Sequence, residues 1–109
     1  MYKPIPGLTY SISKNGKIKN SIGYTMRPFL TKPGRYLKIK ITENGKRKNK
    51  TVHDLMMLTY DPNYTKNKKK YVIHHRDHNP KNNKLENLQW ITHKDNIRLY
   101  YTAKKHGEL

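Results

Sequence analysis

His74 and His75 stand side by side, and two asparagines, Asn87 and Asn96, follow them at intervals a short fold could close. A neutral imidazole, with an ordinary pKa near ~6.5, can take a proton from water at neutral pH or offer a lone pair to a metal ion. An amide oxygen adds a hard, uncharged donor. One imidazole and one amide oxygen leave most of an octahedral shell to water and phosphate oxygens, as Mg²⁺-type ions are held where phosphoryl groups are transferred. The other histidine then serves as a base.

Stepping outward, the elements that must position these groups are legible in the pattern. Tyr71-Val72-Ile73-His74-His75 reads as a strand, Arg76 to Glu86 as an Asn- and Pro-rich loop, and Leu88-Gln89-Trp90-Ile91 as a returning strand. Antiparallel pairing makes His75 and Asn87 neighbours. A helix follows, capped by Thr92 with Asp95 at the capping-box position, lined on one side by Ile97, Tyr100, Tyr101 and Lys104, and stopped at Gly107. Asn96 in its first turn brings an oxygen toward the edge that carries the histidines. Trp90 is expected in the core beneath this hairpin. Upstream, Thr9 to Ser13 alternates into Asn15-Gly16, and Tyr36 to Ile41 alternates into Asn44-Gly45, with Leu37, Ile39 and Ile41 on one face and Lys38 and Lys40 on the other. Each Asn-Gly pair predicts a hairpin turn with positive φ at both residues. Thr51 and Asp54 mark a helix start with Val52, Leu55, Met56 and Thr59 on one face, while Thr65 to Lys70 reads as a basic loop. The fold class is therefore α+β: N-terminal antiparallel hairpins and a short helix over residues 1–64, a linker loop over 65–70, and a ββα unit over 71–109, all in one compact domain.

Composition limits what the unit can serve. The chain has 109 residues, with 24 Lys+Arg against 7 Asp+Glu, a formal charge of +17, and 33% hydrophobic residues. A thin core excludes a large enzyme cleft, and a charge of this size calls for a polyanionic partner, nucleic acid first. Cysteine is absent, so neither a disulfide framework nor a thiolate zinc site is possible, in keeping with a reducing cytoplasm. The longest apolar run is Leu55-Met56-Met57-Leu58, which leaves membrane and secretion readings without support.

The run Val72 to Thr92 (VIHHRDHNPKNNKLENLQWIT) with Asn96 after it resembles the HNH nuclease motif, the ββα-metal fold, in its phage-type homing endonuclease form. His74-His75, Asp77, Asn82-Asn83, Leu85-Glu86-Asn87-Leu88, Trp90, Thr92 and Asn96 carry the likeness. Lys3 to Gly7, leading into Tyr10 to Lys17, is similar to the module that often precedes the motif, and Val52-His53-Asp54-Leu55 to the helix that joins them. The resemblance implies that His75 is the general base, that His74 and Asn96 hold one divalent ion, Mg²⁺ or Mn²⁺, and that Asn87 fixes the loop and orients His75. It implies an endonuclease that nicks one strand of double-stranded DNA to a 5′ phosphate and a 3′ hydroxyl. It also places Lys94 and Arg98 near the cut, and Lys38 and Lys40 on a DNA-facing sheet. Lys46, Arg47, Lys48, Lys50, Lys66, Lys68, Lys69, Lys70 and Arg76 are then backbone contacts, which add affinity and salt dependence rather than sequence reading.

A single compact site cuts one strand, so a monomer or weak dimer is expected, acting in the host cytoplasm if phage-encoded. With the chain ending at Leu109, the reading expects loose specificity or a targeting protein. The alternative is a non-catalytic basic nucleic-acid-binding module on the same fold, and a third reading is an RNA-associated structural protein. His53 reads as a packed or surface residue, and His78 and His93 as phosphate neighbours or solvent-facing side chains. A tetrahedral zinc site from His74, His75 and His78 is disfavoured, because adjacent strand residues point to opposite faces.

Overall fold

The computed structural model describes residues 1–30 and 36–105, with the backbone alone over 100–105. Strands β1 (Tyr2–Pro4), β2 (Ser11–Ser13) and β3 (Ile18–Lys19) form one antiparallel sheet in the order β1-β2-β3. Strands β4 (Phe29–Leu30), β5 (Leu37–Glu43) and β6 (Lys46–Thr51) form a second in chain order. The alternation in β5 does what its period requires: Ile39 and Ile41 are buried and Lys40 is exposed. Asn44 (φ 52°) and Gly45 (φ 76°) close the β5–β6 hairpin with positive φ at both residues, as expected. The first hairpin departs from expectation, since of its turn residues only Gly16 has positive φ, at 88°. Gly16 N–H donates to the Ser13 carbonyl and Ser13 N–H to the Lys17 carbonyl. The extra residue between them makes a bulged turn that needs one left-handed position.

β6 runs directly into helix α1 (Val52–Tyr60), whose buried face is Val52, Leu55, Met56, Met57 and Thr59. Thr51 precedes it without a side-chain cap, because its backbone is still paired with Lys38 in the sheet. Ile12 and Ile18 from the first sheet, Ile5 just after β1, Ile39 and Ile41 from the second sheet, Val52, Leu55, Met56 and Met57 of α1, and Leu88 form one core cluster. Burial of each such side chain contributes on the order of 1.5–3 kcal/mol.

The stretch expected as a basic loop over 65–70 is instead helix α2 (Tyr64–Lys70). Lysine is a good helix former, and three side chains on one face anchor the turn against neighbours. Tyr64 Oη donates to Asp54 at 2.8 Å, Asn67 Nδ2 donates to Asp61 at 3.0 Å, and Lys68 lies 3.6 Å from Asp54. Asp61 also accepts from Trp90 Nε1 at 2.6 Å, so the indole packs against the core with its polar edge satisfied. These bonds hold the Asp61 carboxyl below its usual pKa, although desolvation pulls the other way.

The C-terminal unit follows its predicted order. Strand β7 (Val72–His75) pairs antiparallel with β8 (Leu88–Ile91), with a 3₁₀ turn over Leu85–Asn87 between them, and α3 (His93–Lys105) packs back on β7. Thr92 Oγ1 accepts from Asp95 N–H at 3.0 Å, the cap the sequence indicates. Ile97, which the sequence places on one side of α3 with Tyr100, Tyr101 and Lys104, is 56% exposed. The side chains of Tyr100, Tyr101 and Lys104 and the stop at Gly107 lie outside the described residues. No helix among the described residues is long and apolar enough to cross a membrane.

Candidate active site

Alternation along β7 sends its two histidines to opposite faces. His75 points inward and is 5% exposed, while His74 stays half-buried on the other side. The His75 Nε2 lies 2.8 Å from Asn83 Oδ1. An amide oxygen can only accept, so this contact is a hydrogen bond in the tautomer that carries its hydrogen on Nε2 and its lone pair on Nδ1. Tyr36 stacks on His75 at 5.8 Å and 18°, and His53 from α1 meets it edge-on at 5.2 Å. His53 is held in its neutral form, with its pKa lowered to about 4 by desolvation and the nearby His75, against an opposing pull from Asp54. Its Nδ1 is buried without a hydrogen-bond partner among the described residues.

The expected neighbours His75 and Asn87 are close in register, His75 pairing with Leu88 and Arg76 N–H donating to the Asn87 carbonyl. Their side chains nevertheless go to different tasks. Asn87 Nδ2 donates to Asp77 Oδ1 (3.0 Å) and to the Asn82 carbonyl (2.8 Å), and Asn87 Oδ1 accepts from Asp77 N–H (3.1 Å). Asn87 thus knits the loop, and the amide oxygen against the imidazole Nε2 is that of Asn83. Asp77 is the loop's hub: Asn82 Nδ2, Asn79 N–H and Asn87 Nδ2 all donate to its carboxylate. These bonds, Asn82's foremost, lower its pKa to about 2.

Asn83 is itself buttressed by the first hairpin. A β-carbon on Gly16 would lie 3.3 Å from the Asn83 carbonyl oxygen, and Leu85 N–H donates to the Lys14 carbonyl at 2.9 Å. Asn83, Tyr36, His53 and Gly16 are therefore parts of the site that spacing did not reveal, although Asn82-Asn83 stood within the motif.

His74 lies on the other face of β7, and Asn96 lies on α3, the helix that packs on β7. The His74 pKa is lowered by desolvation, then by His78 and His75, which favours the neutral ring a metal ion requires. Asn96 lies exposed in the first turn of α3, its N–H donating to the Thr92 carbonyl. No group of three or more His, Cys, Asp or Glu forms a metal cage among the described residues. An imidazole nitrogen and an amide oxygen are donor types that a divalent ion accepts, with water and phosphate oxygens in its other positions.

The basic residues divide by face. Lys38, Lys40 and Arg47 share the outer face of the second sheet, with Lys40 opposite Asn49 and Arg47 opposite Thr42. Lys46, Lys48 and Lys50 lie opposite Glu43, Ile41 and Ile39, on the side of the core. Lys48 pairs with Glu43 at 3.2 Å, and Arg98 with Asp95 one turn away on α3. Lys66, Lys69, Lys70, Arg76, Lys94 and His93 are exposed.

Residues 66–98, which hold the two strands, the Asn-knit loop and the start of the helix around the buried histidine, match the model of the HNH endonuclease family. The chain is 32% identical over 89 residues to the DNA endonuclease I-HmuI of Bacillus phage SP01. It is 36% identical over 90 residues to the uncharacterized HNH endonuclease L245 of Acanthamoeba polyphaga mimivirus. It spans 49% and 26% of those proteins' lengths. A solved structure of DNA binding and cleavage by the HNH homing endonuclease I-HmuI superposes with a TM-score of 0.74 at 28% identity, covering all of this chain and 60% of that one. The fold is accordingly similar to that of the HNH homing endonuclease I-HmuI over the part the two chains share.

Proposed function

We propose that the chain is a metal-dependent DNA endonuclease that nicks one strand of duplex DNA. The observation that carries this reading is the buried His75 with its Nε2 2.8 Å from Asn83 Oδ1, a contact that favours the tautomer with its lone pair on Nδ1. In the proposed reaction Nδ1 takes a proton from a water molecule, the water oxygen bonds to phosphorus, and the bond from phosphorus to the 3′ oxygen breaks. The products are a 5′ phosphate and, after protonation from solvent, a 3′ hydroxyl. Since His75 is nearly sequestered, the water it activates arrives with the bound backbone. His74 and Asn96 would hold Mg²⁺ or Mn²⁺, which supplies charge neutralisation at the phosphate and leaving oxygen. Asn87 and Asp77 keep the loop in shape so that Asn83 stays on the ring. One base in one chain serves one strand, so nicking by a monomer or weak dimer is the natural outcome.

The test is a supercoiled-plasmid assay with Mg²⁺, Mn²⁺ or EDTA, on the wild-type chain and on His75→Ala. Open circles that need metal and the histidine are expected, with a drop of at least ~10²-fold in the variant and DNA binding retained. His75→Gln, closer in shape, guards against a folding defect. Normal cutting by both variants removes the assignment. Intact plasmid in every lane with a retarded band on a binding gel shifts the reading to a non-catalytic DNA-binding module.

A further inference from the structure

His78 has no task in the mechanism above, yet its position asks for one. It takes φ 61°, the left-handed region that a residue with a β-carbon seldom occupies, and its N–H donates to the His75 carbonyl to close the turn after β7. Glycine or asparagine would close such a turn with less strain. The conformation brings the His78 ring edge-on to His74, with centroids 5.2 Å apart at 79°. Two imidazoles on one ion, each with a metal–nitrogen bond of ~2.0–2.1 Å, need about this separation. Among the described residues neither ring makes a hydrogen bond, while Asp77, Asn79, Asn82 and Asn87 around them are tied together. The one nearby carboxylate, Asp77, is occupied by that network and adds no hard anionic ligand.

The geometry points to His78 as a second imidazole ligand, paired with His74 on the same divalent ion, in a site that prefers nitrogen-seeking transition ions over Mg²⁺. This rests on the reading that His74 holds the ion. Imidazole suits Co²⁺, Ni²⁺, Zn²⁺ and to a lesser degree Mn²⁺, whereas Mg²⁺ favours oxygen ligands and usually one or two carboxylates. A neutral pair of rings with an amide oxygen matches the first group. His75, on the opposite face of β7, stays outside the pair.

The experiment measures metal binding directly, by calorimetry with Co²⁺, Ni²⁺, Mn²⁺ and Mg²⁺ on the full, untagged chain without DNA. His78→Gly is the chosen variant, because glycine relieves the positive φ and should leave the melting temperature unchanged or raised. The wild type is expected to bind Co²⁺ and Ni²⁺ at least tenfold more tightly than Mg²⁺. His78→Gly should lose at least tenfold in Co²⁺ affinity with little change for Mg²⁺. Mn²⁺ should selectively broaden the imidazole NMR signals of both His74 and His78 in the wild type. Unchanged Co²⁺ affinity in a folded His78→Gly overturns the pair, even if cleavage remains metal-dependent and the nuclease reading stands. Tight Co²⁺ binding that needs both histidines, in a chain that never cuts DNA, supports the pair and removes the nuclease reading instead.

Discussion

At the scale of single residues, the cluster of Tyr36, His53 and His75 sets both chemistry and stability. His53 lies 4.8 Å from Tyr36 and 5.2 Å from His75, and a charge on it would sit in a dry place beside a second imidazole. Its pKa, about 4 when folded against 6.5 as an ordinary value, makes the unfolded chain bind more protons between those limits. Stability from this group is therefore complete above about pH 6.5 and is lost as pH falls toward 4. The shift corresponds to something on the order of 3 kcal/mol. His74, lowered as well, acts in the same direction. Melting curves at pH 7.5 and 4.5 should show a larger loss for the wild type than for His53→Phe, which keeps an aromatic edge but cannot titrate. Equal losses would show that His53 is not buried neutral. The chemistry at this scale was partly legible: a paired histidine announces itself by type, whereas its partner does not. Which of Asn82, Asn83 and Asn87 reaches the ring depends on the path of a loop, and spacing pointed to Asn87 where the loop delivers Asn83.

At the scale of elements, the first hairpin supports the candidate site through one contact. Gly16, at φ 88°, leaves room for the Asn83 backbone, and a methyl group there would sit 3.3 Å from its carbonyl oxygen. Gly16→Ala should cost about 1 kcal/mol for the backbone alone and more for the crowding. By shifting Asn83 it should also lower kcat for DNA cleavage roughly tenfold, with DNA affinity nearly unchanged, an effect of the size a small misplacement produces. Gly45→Ala is the control, since Gly45 shares the positive φ (76°) but a β-carbon there meets nothing within 4 Å. It should share the stability loss and keep the kcat; equal kcat losses in both would detach the hairpin from the site. The hairpins themselves were readable because alternation and Asn-Gly turns are local signals. Helix α2 was not, because what holds Tyr64–Lys70 helical is a set of contacts to Asp54 and Asp61 that only the folded chain brings together.

At the scale of the whole molecule, the charges sort themselves into internal and external work. The chain has 7 acidic residues against 24 basic ones. Glu43, Asp54 and Asp95 pair with Lys48, Lys68 and Arg98, while Asp61 and Asp77 accept hydrogen bonds from Trp90, Asn67, Asn82 and Asn87. Five of the seven carboxylates are thus engaged within the chain, and the excess positive charge is left for a polyanion. A duplex neutralised at six to ten phosphates would lose ~10³–10⁵-fold in affinity between 50 and 200 mM salt. The face assignment makes the individual contributions unequal. Lys40 stands exposed on the outer face of the second sheet, with Lys38 and Arg47 alongside. Lys48 lies on the opposite face and is already neutralised by Glu43 at 3.2 Å. Lys40→Ala should therefore reduce the slope of log affinity against log salt by about one, uniformly across duplex sequences. Lys48→Ala should change it much less, because the ion pair it loses is internal. Fluorescence-anisotropy titrations of a labelled duplex over that salt range would decide it: equal slopes for the two variants would mean that DNA lies elsewhere than on the outer face of β5 and β6.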